Sequence, residues 1–275
     1  MNRTALLAAT ALSTLACGTA FADGAGGKTL TGIGDVGYNY TNYDGGEGDI
    51  DTDTFRFGGS ALWSFRGNWN FQGDVAFNSD RFDFGGEDAA IDTWKIGGAG
   101  FWRDQNMGLL GAEVWYQSLD FSSTYIDGFG AAARGEFYAS KQLTIGARAG
   151  FSGYDRLGFE LDEWSLSAFG KYYVQPNLGL TLGGNYTNWD GGEGGESDAE
   201  DWYLSAEAEY QIPDCTTSIY AGFTYGNLDF DDLSDDIDYW GVGGGLRVRF
   251  GTTGTLDQRQ RSGPLERFGG ARFVF

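Results

Sequence analysis

The sequence predicts an all-β chain: an antiparallel up-and-down β-barrel of about twelve strands. Three observations carry that reading. Six acidic segments recur at a nearly constant interval, polarity alternates at every second residue between them, and the 275 residues include 47 Gly and 45 aromatics but only 3 Pro. Taking one Asp per segment, Asp44, Asp83, Asp120, Asp155, Asp190 and Asp229 lie 39, 37, 35, 35 and 39 residues apart. A fixed period of this size marks one supersecondary unit repeated along the chain. Two segments are near copies, Asn39-Tyr-Thr-Asn-Tyr-Asp-Gly-Gly-Glu-Gly48 and Asn185-Tyr-Thr-Asn-Trp-Asp-Gly-Gly-Glu-Gly194.

Residues 1–22 read as a secretory signal, with Arg3, an apolar stretch from Ala5 to Ala16, and the cleavage site Ala20-Phe21-Ala22 before Asp23. Cys17 raises a lipoprotein signal, which Thr14-Leu15-Ala16 fits poorly. Strands then start near residues 29, 53, 68, 92, 108, 128, 142, 164, 177, 201, 217 and 238. Trp69–Asn78 shows the period: Trp69, Phe71, Gly73, Val75 and Phe77 share one face, and Asn70, Gln72, Asp74, Ala76 and Asn78 the other. Short turns alternate with the acidic segments at Phe65–Asn68, Arg103–Asn106, Ala139–Gln142, Gln175–Asn177 and Pro213–Thr216. Two of the three prolines sit in these turns, where a missing N–H does no harm.

Alternation alone leaves open which face is outside. In a soluble β-protein the apolar face packs inward; in a membrane barrel it faces lipid. Three features favour the membrane. The strands are long and uniform, and about 9–11 tilted residues cross a bilayer core. Trp94, Trp164, Trp202 and Trp240 follow acidic segments while Trp63, Trp69, Trp102 and Tyr210 lie near the short turns, as two interfacial girdles would. Asp35, Arg56, Asp74, Lys95, Glu113, Arg134, Glu136, Arg148, Lys171, Glu207, Glu209, Arg247 and Arg249 all fall on the polar face. A lipid-facing Arg or Lys at mid-depth would cost about 2–4 kcal/mol.

On this architecture the chain resembles the bacterial outer-membrane β-barrels of the small porin-like class, over residues 23–250. Gly245-x-x-Val248-x-Phe250 fits the way such chains end their last strand, and so does Gly270-x-x-Phe273-x-Phe275. The resemblance implies a transmembrane barrel in the outer membrane of a Gram-negative bacterium, with short periplasmic turns and six acidic extracellular loops. Residues 251–275 are then a periplasmic tail or a final strand, and the tail sits below the barrel or folds into its mouth.

The polar-face charges other than Asp35 are the expected pore lining: Arg56, Asp74, Lys95, Glu113, Arg134, Glu136, Arg148, Lys171, Glu207, Glu209, Arg247 and Arg249. Hairpin spacing predicts ion pairs of Arg56 with Asp74, Lys95 with Glu113 and Glu136 with Arg148, and Asp35 meeting Arg247 or Arg249 at closure. The acidic segments hold 28 of the 39 Asp and Glu residues and are expected to ring the outer mouth, drawing cations toward it. Asp49, Asp51, Asp53, Asp229, Asp231 and Asp232 are weak metal candidates, because the EF-hand pattern fails at Thr54 and Ser60. No cofactor is expected beyond Ca or Mg held loosely there.

The formal charge of −21 disfavours nucleic acid, which needs a basic footprint. The absence of histidine excludes Ser-His and His-Asp catalysis, and the chain is read as no enzyme. The expected function is passive diffusion of ions or small hydrophilic solutes. The expected surroundings are outer-membrane lipid and lipopolysaccharide. The alternative is a closed structural or adhesive barrel whose acidic loops bind divalent cations, lipopolysaccharide or a partner.

Overall fold

A computed structural model describes residues 29–266 apart from short loop segments at 46–47, 66–67, 84–87, 122–123, 157–158, 192–197 and 232–235. Residues 1–28, which include the expected signal segment 1–22, and residues 267–275 lie outside the described residues. The chain forms twelve antiparallel strands, each hydrogen-bonded to its sequence neighbours. They are β1 (Thr29–Gly45), β2 (Gly48–Ser64), β3 (Trp69–Asp83), β4 (Asp88–Asp104), β5 (Gly108–Asp120), β6 (Tyr125–Tyr138), β7 (Leu143–Arg156), β8 (Phe159–Gln175), β9 (Leu178–Gly191), β10 (Ala199–Gln211), β11 (Thr217–Phe230) and β12 (Ile237–Phe250). β12 pairs with β1 and closes the barrel, placing Asp35 directly opposite Arg247. The five short turns fall where the spacing puts them, and β1 begins and β12 ends at this same turn end.

The central belt has its apolar face outward. Leu110, Val114, Phe129, Leu182 and Leu204 each leave at least 60% of their surface exposed, a pattern expected where lipid replaces the protein core. At the acid-side margin of this belt aromatic rings pair across strands: Tyr40–Trp240, Phe77–Trp94, Tyr116–Phe129, Trp164–Tyr186 and Trp202–Tyr225, with centroids 4.5 to 6.0 Å apart. Such pairs stabilise a sheet by about 0.2–1 kcal/mol each.

The acidic segments differ from the expectation of long loops. The strands run 13 to 17 residues, beyond what a bilayer core needs, and the surplus is the acidic sequence itself. β1 and β2, for instance, are joined by residues 46–47 alone, with Asp44 and Asp49 directly opposite on paired strands. In this extension the sense of the alternation reverses. Outward lie Asp44, Asp51, Asp83, Asp92, Asp120, Asp162, Asp190, Glu200, Asp229 and Asp238. Inward, one residue away from many of these, lie Tyr43, Ile50, Phe82, Ile91, Leu119, Leu161, Trp189, Leu228, Ile237 and Tyr239, packed into two clusters that Tyr154 touches in common. The acidic end is therefore built like a water-soluble barrel, polar outside and apolar within. Three carboxylates there face inward, and each accepts from a hydroxyl: Asp80 from Thr54 at 2.5 Å, Glu163 from Tyr154 at 3.0 Å, and Asp201 from Tyr239.

Past β12 the chain turns back on itself. Gly251 (φ +75°) and Gly254 (φ +102°) take left-handed backbone conformations that side-chain-bearing residues avoid, and a short helix, α1 (Leu256–Ser262), follows. In the described residues the tail is thus a helix and an extended segment, and no thirteenth strand forms.

Candidate functional site: the bore and its C-terminal plug

The tail folds into the turn end of the barrel. Leu256 is fully buried and its N–H donates to the Pro176 carbonyl at 2.8 Å. Arg261 donates to the Ser140 carbonyl at 2.5 Å, Tyr173 donates to Gln260, and Arg103 donates to the Gly263 carbonyl at 2.6 Å. Across the bore, the Leu265 N–H donates to Gln72 Oε1 at 2.7 Å, and the Leu265 side chain joins Leu62, Ala99, Phe101 and Leu109 in an apolar cluster. Arg134 donates to the Glu266 carbonyl at 2.8 Å. The segment is thereby fastened to walls on opposite sides of the opening.

Its last described side chain, Glu266, enters a buried charge cluster. Lys171 Nζ lies 3.2 Å from Glu266 and 3.3 Å from Glu209. Arg249 reaches Glu209 at 2.6 Å and also pairs with Glu266, while Arg247 lies 2.8 Å from Glu209 and 3.4 Å from Glu207. Ser218 donates to Glu209 and accepts from Arg249 at 2.9 Å. Gln260 donates to both Glu266 oxygens at 2.8 and 2.9 Å. Burial pushes the Glu266 carboxyl up, but Lys171 and Arg249 pull it further the other way, so its pKa lies well below the ordinary glutamate range.

All twelve residues expected to line the pore lie on the inner face, and Asp35 stands opposite Arg247 as expected at closure, but the three expected hairpin pairs are not in register. Lys95 is opposite Gln117, not Glu113, and its ammonium sits 4.2 Å from the Trp115 ring centre. Arg56 is opposite Asn78; it lies 4.0 Å from Asp35 and donates to the Tyr220 hydroxyl at 3.0 Å. Asp74 instead accepts from Ser60 and from Gln72. Glu136 is opposite Gly146 and pairs with Arg134 on its own strand at 2.6 Å, leaving Arg148 to pair with Glu113 at 3.1 Å. The physical reason is side-chain reach. Long inward side chains extend past the neighbouring strand, so Arg148 on β7 finds Glu113 on β5, and Arg247 on β12 finds Glu209 on β10, each over one intervening strand. Adjacent-strand register decides which face a residue is on, and side-chain length decides what it meets.

Above the plug lies a cavity of about 310 Å³. Its walls include Arg56, Asp74, Lys95, Glu113, Trp115, Arg148 and Asn185, and it runs from the apolar inner collar at Leu119 and Leu161 down to Arg247 and Glu266. A second cavity of about 120 Å³ also reaches Arg247 and Glu266, from the side of Thr41, Thr181 and Thr224. Around Gln260, Arg261 and Leu265 the space falls to about 20 Å³. The bore thus narrows toward the tail.

The metal candidates are not brought together. Asp49, Asp51 and Asp53 are strung along the outer face of β2; Asp51 accepts from Tyr40 at 2.5 Å and Asn42 at 2.9 Å, and Asp53 accepts from Tyr38. Asp229 faces outward on β11, Asp231 lies in the connection after it, and Asp232 is outside the described residues. Among the described residues no three acidic or sulfur ligands converge as a metal site would require. Among the described residues, the carboxylates on the outer face point away from the lumen.

Sequence reasoning missed Glu266, Leu265 and Gln260, because the tail has no periodicity to phase it. It also missed the reversal at the acidic end, for which a signal exists. Acid-x-Trp recurs as Asp92-Thr-Trp94, Asp162-Glu-Trp164, Glu200-Asp-Trp202 and Asp238-Tyr-Trp240, placing an outward acid one step beyond an outward girdle Trp.

The profile of the outer membrane protein beta-barrel domain family matches residues 128–259, from β6 into α1. No curated protein sequence matches the chain. Among solved structures, the outer membrane channel of the COG4313 group from Pseudomonas putida F1 aligns with TM-score 0.59 at 10% identity, over 84% of this chain and 100% of that one. The beta domain of the Bordetella autotransporter Brka gives 0.53 at 12% identity, over 81% of this chain and 100% of that one. The translocator domain of the autotransporter NalP from Neisseria meningitidis gives 0.50 at 12%, over 90% and 95%. A closed twelve-stranded wall, an outward apolar belt edged by aromatic pairs, inward charges and this family match converge on one assignment: the protein is an outer-membrane β-barrel of a Gram-negative bacterium.

Proposed function

We propose that the barrel is a narrow porin-like passage for ions and small hydrophilic solutes, held nearly shut at its turn end by its own tail. The observation that carries this is the cavity of about 310 Å³ inside the wall, lined by charged and amide side chains and reaching the plug. A polar lumen of this kind has no use in a barrel that only braces the membrane, where apolar filling would be more stable. Charged walls then set ion preference, and the apolar inner collar at the acidic end opposes wetting. The protein carries out no chemistry in this reading; its residues position and screen solutes.

A second reading is favoured by the seated tail: a closed barrel whose outward carboxylates hold divalent cations between themselves and lipopolysaccharide phosphates. Pairs such as Asp44 with Asp49, Asp162 with Asp190 and Glu200 with Asp229 stand directly opposite and repel without a counterion. Planar-bilayer recording separates the two. The channel reading expects small discrete conductance steps; a silent bilayer, with protein shown folded by heat-modifiable gel mobility, favours the closed barrel. Equilibrium dialysis without calcium uptake removes the bridging.

A further inference from the structure

The seated carboxylate of Glu266 is more than a plug requires. Leu256 and Leu265 already fill the opening with apolar volume, and burying a charge beside them is strongly opposed by desolvation unless the site is built for it. The site is built for it. Lys171 comes from β8, Glu209 from β10 and Arg247 and Arg249 from β12, so the receiving groups are held by the wall. Ser218, bonded to both Glu209 and Arg249, orients them without help from the tail. With Glu266 in place the fixed cations Lys171, Arg247 and Arg249 are balanced by Glu207, Glu209 and Glu266; with it withdrawn, one positive charge is left over. Two arginine forks and an ammonium converging on one point suit a carboxylate. Both larger cavities end at Arg247 and Glu266, so a solute in the bore arrives at this cluster.

We propose that Lys171, Arg247 and Arg249 form a carboxylate-binding site inside the barrel, that Glu266 occupies it as a built-in ligand, and that a small soluble carboxylate takes its place when the tail yields. The solute's route to the site rests on the channel reading above; its binding does not. Sodium acetate and sodium succinate are titrated by calorimetry, at low ionic strength, into the full-length detergent-folded protein and its Glu266→Ala variant. Acetate replaces the CH2–COO⁻ that the substitution removes. The site predicts binding at least tenfold tighter to Glu266→Ala than to wild type, loss of that gain when Arg249→Gln is added, and no binding of the neutral isostere acetamide. Equal affinity in both proteins, or acetamide binding as well as acetate, overturns it. Where Glu266→Ala does not fold, Glu266→Gln keeps the volume, and carboxylate binding no tighter than wild type is then the overturning result. In planar bilayers succinate should reduce the Glu266→Ala current. Binding with no current in any variant removes the channel reading and keeps the site; current with no carboxylate-specific binding removes the site and keeps the channel.

Discussion

The membrane belt and the acidic extension are made by the same twelve strands, yet they bury opposite faces. In the belt Leu204 faces lipid, and the lumen side carries residues such as Arg148 and Glu113. A few residues further along, Leu228 and Trp189 face in while Asp229 and Asp190 face out. Period 2 continues unbroken through the change, so backbone geometry does not distinguish the zones. The solvent does: hydrocarbon around the belt takes apolar side chains, and water around the extension takes carboxylates. The aromatic pairs mark the border, with Trp94, Trp164, Trp202 and Trp240 each one outward step from an acid.

The largest expected effect comes from violating this sense at the acidic end. Leu228→Asp places an unpaired charge in a packed cluster and should lower unfolding free energy in urea by about 3–5 kcal/mol, whereas Asp229→Leu, its outward neighbour, should stay within about 0.5 kcal/mol. At the turn end, Leu265→Ala should weaken tail docking by about 2–5 kcal/mol, read as faster proteolysis of the tail with the barrel intact. In the belt, Leu204→Arg should cost about 2–4 kcal/mol, while the same residue type is native on the inner face of that zone.

The tail contact also carries a pH signature. A carboxyl whose folded pKa is depressed contributes stability that is full above its ordinary value and lost as pH falls through the folded one. For Glu266 that window runs from 4.5 down to about 2, so tail protection should hold steady from neutral pH to 5 and decline below it. Proteolysis by pepsin below pH 5 and by a neutral protease above it checks this; loss of protection between pH 7 and 5 would assign the contact to another group. The smallest effect belongs to the opposed acids. Asp162→Asn relieves repulsion with Asp190 and should stabilise by about 0.2–1 kcal/mol at low salt, with the gain fading in 1 M salt.

Strand number, turn positions and the inward set of charges were legible because alternation and turn chemistry are local. Ion partners were not, since Arg148 on β7 and Glu113 on β5 meet over the intervening β6, a contact that no single hairpin encodes. The acidic segments looked like loops because a run of Asp and Gly reads as solvated chain; the apolar residue next to each acid, as in Leu119-Asp120 or Ile237-Asp238, was the strand signal inside it. For the tail, a place in the barrel's mouth was one of two expectations, but nothing in its sequence pointed to the groups it meets there. Glu266 acquires its meaning only from Lys171, Arg247 and Arg249, which lie between 17 and 95 residues away in sequence.

Reversal along a single strand is most directly tested by spin labels on β11, with Cys215→Ser as background and single cysteines at Phe223, Leu228 and Asp229 in lipid-reconstituted protein. Relaxation by oxygen reports lipid and relaxation by a water-soluble nickel complex reports solvent. The expected result is oxygen access at 223, nickel access at 229 and neither at 228. Nickel access at 228 with oxygen access at 229 would mean that the polarity never reverses, and would contradict the account.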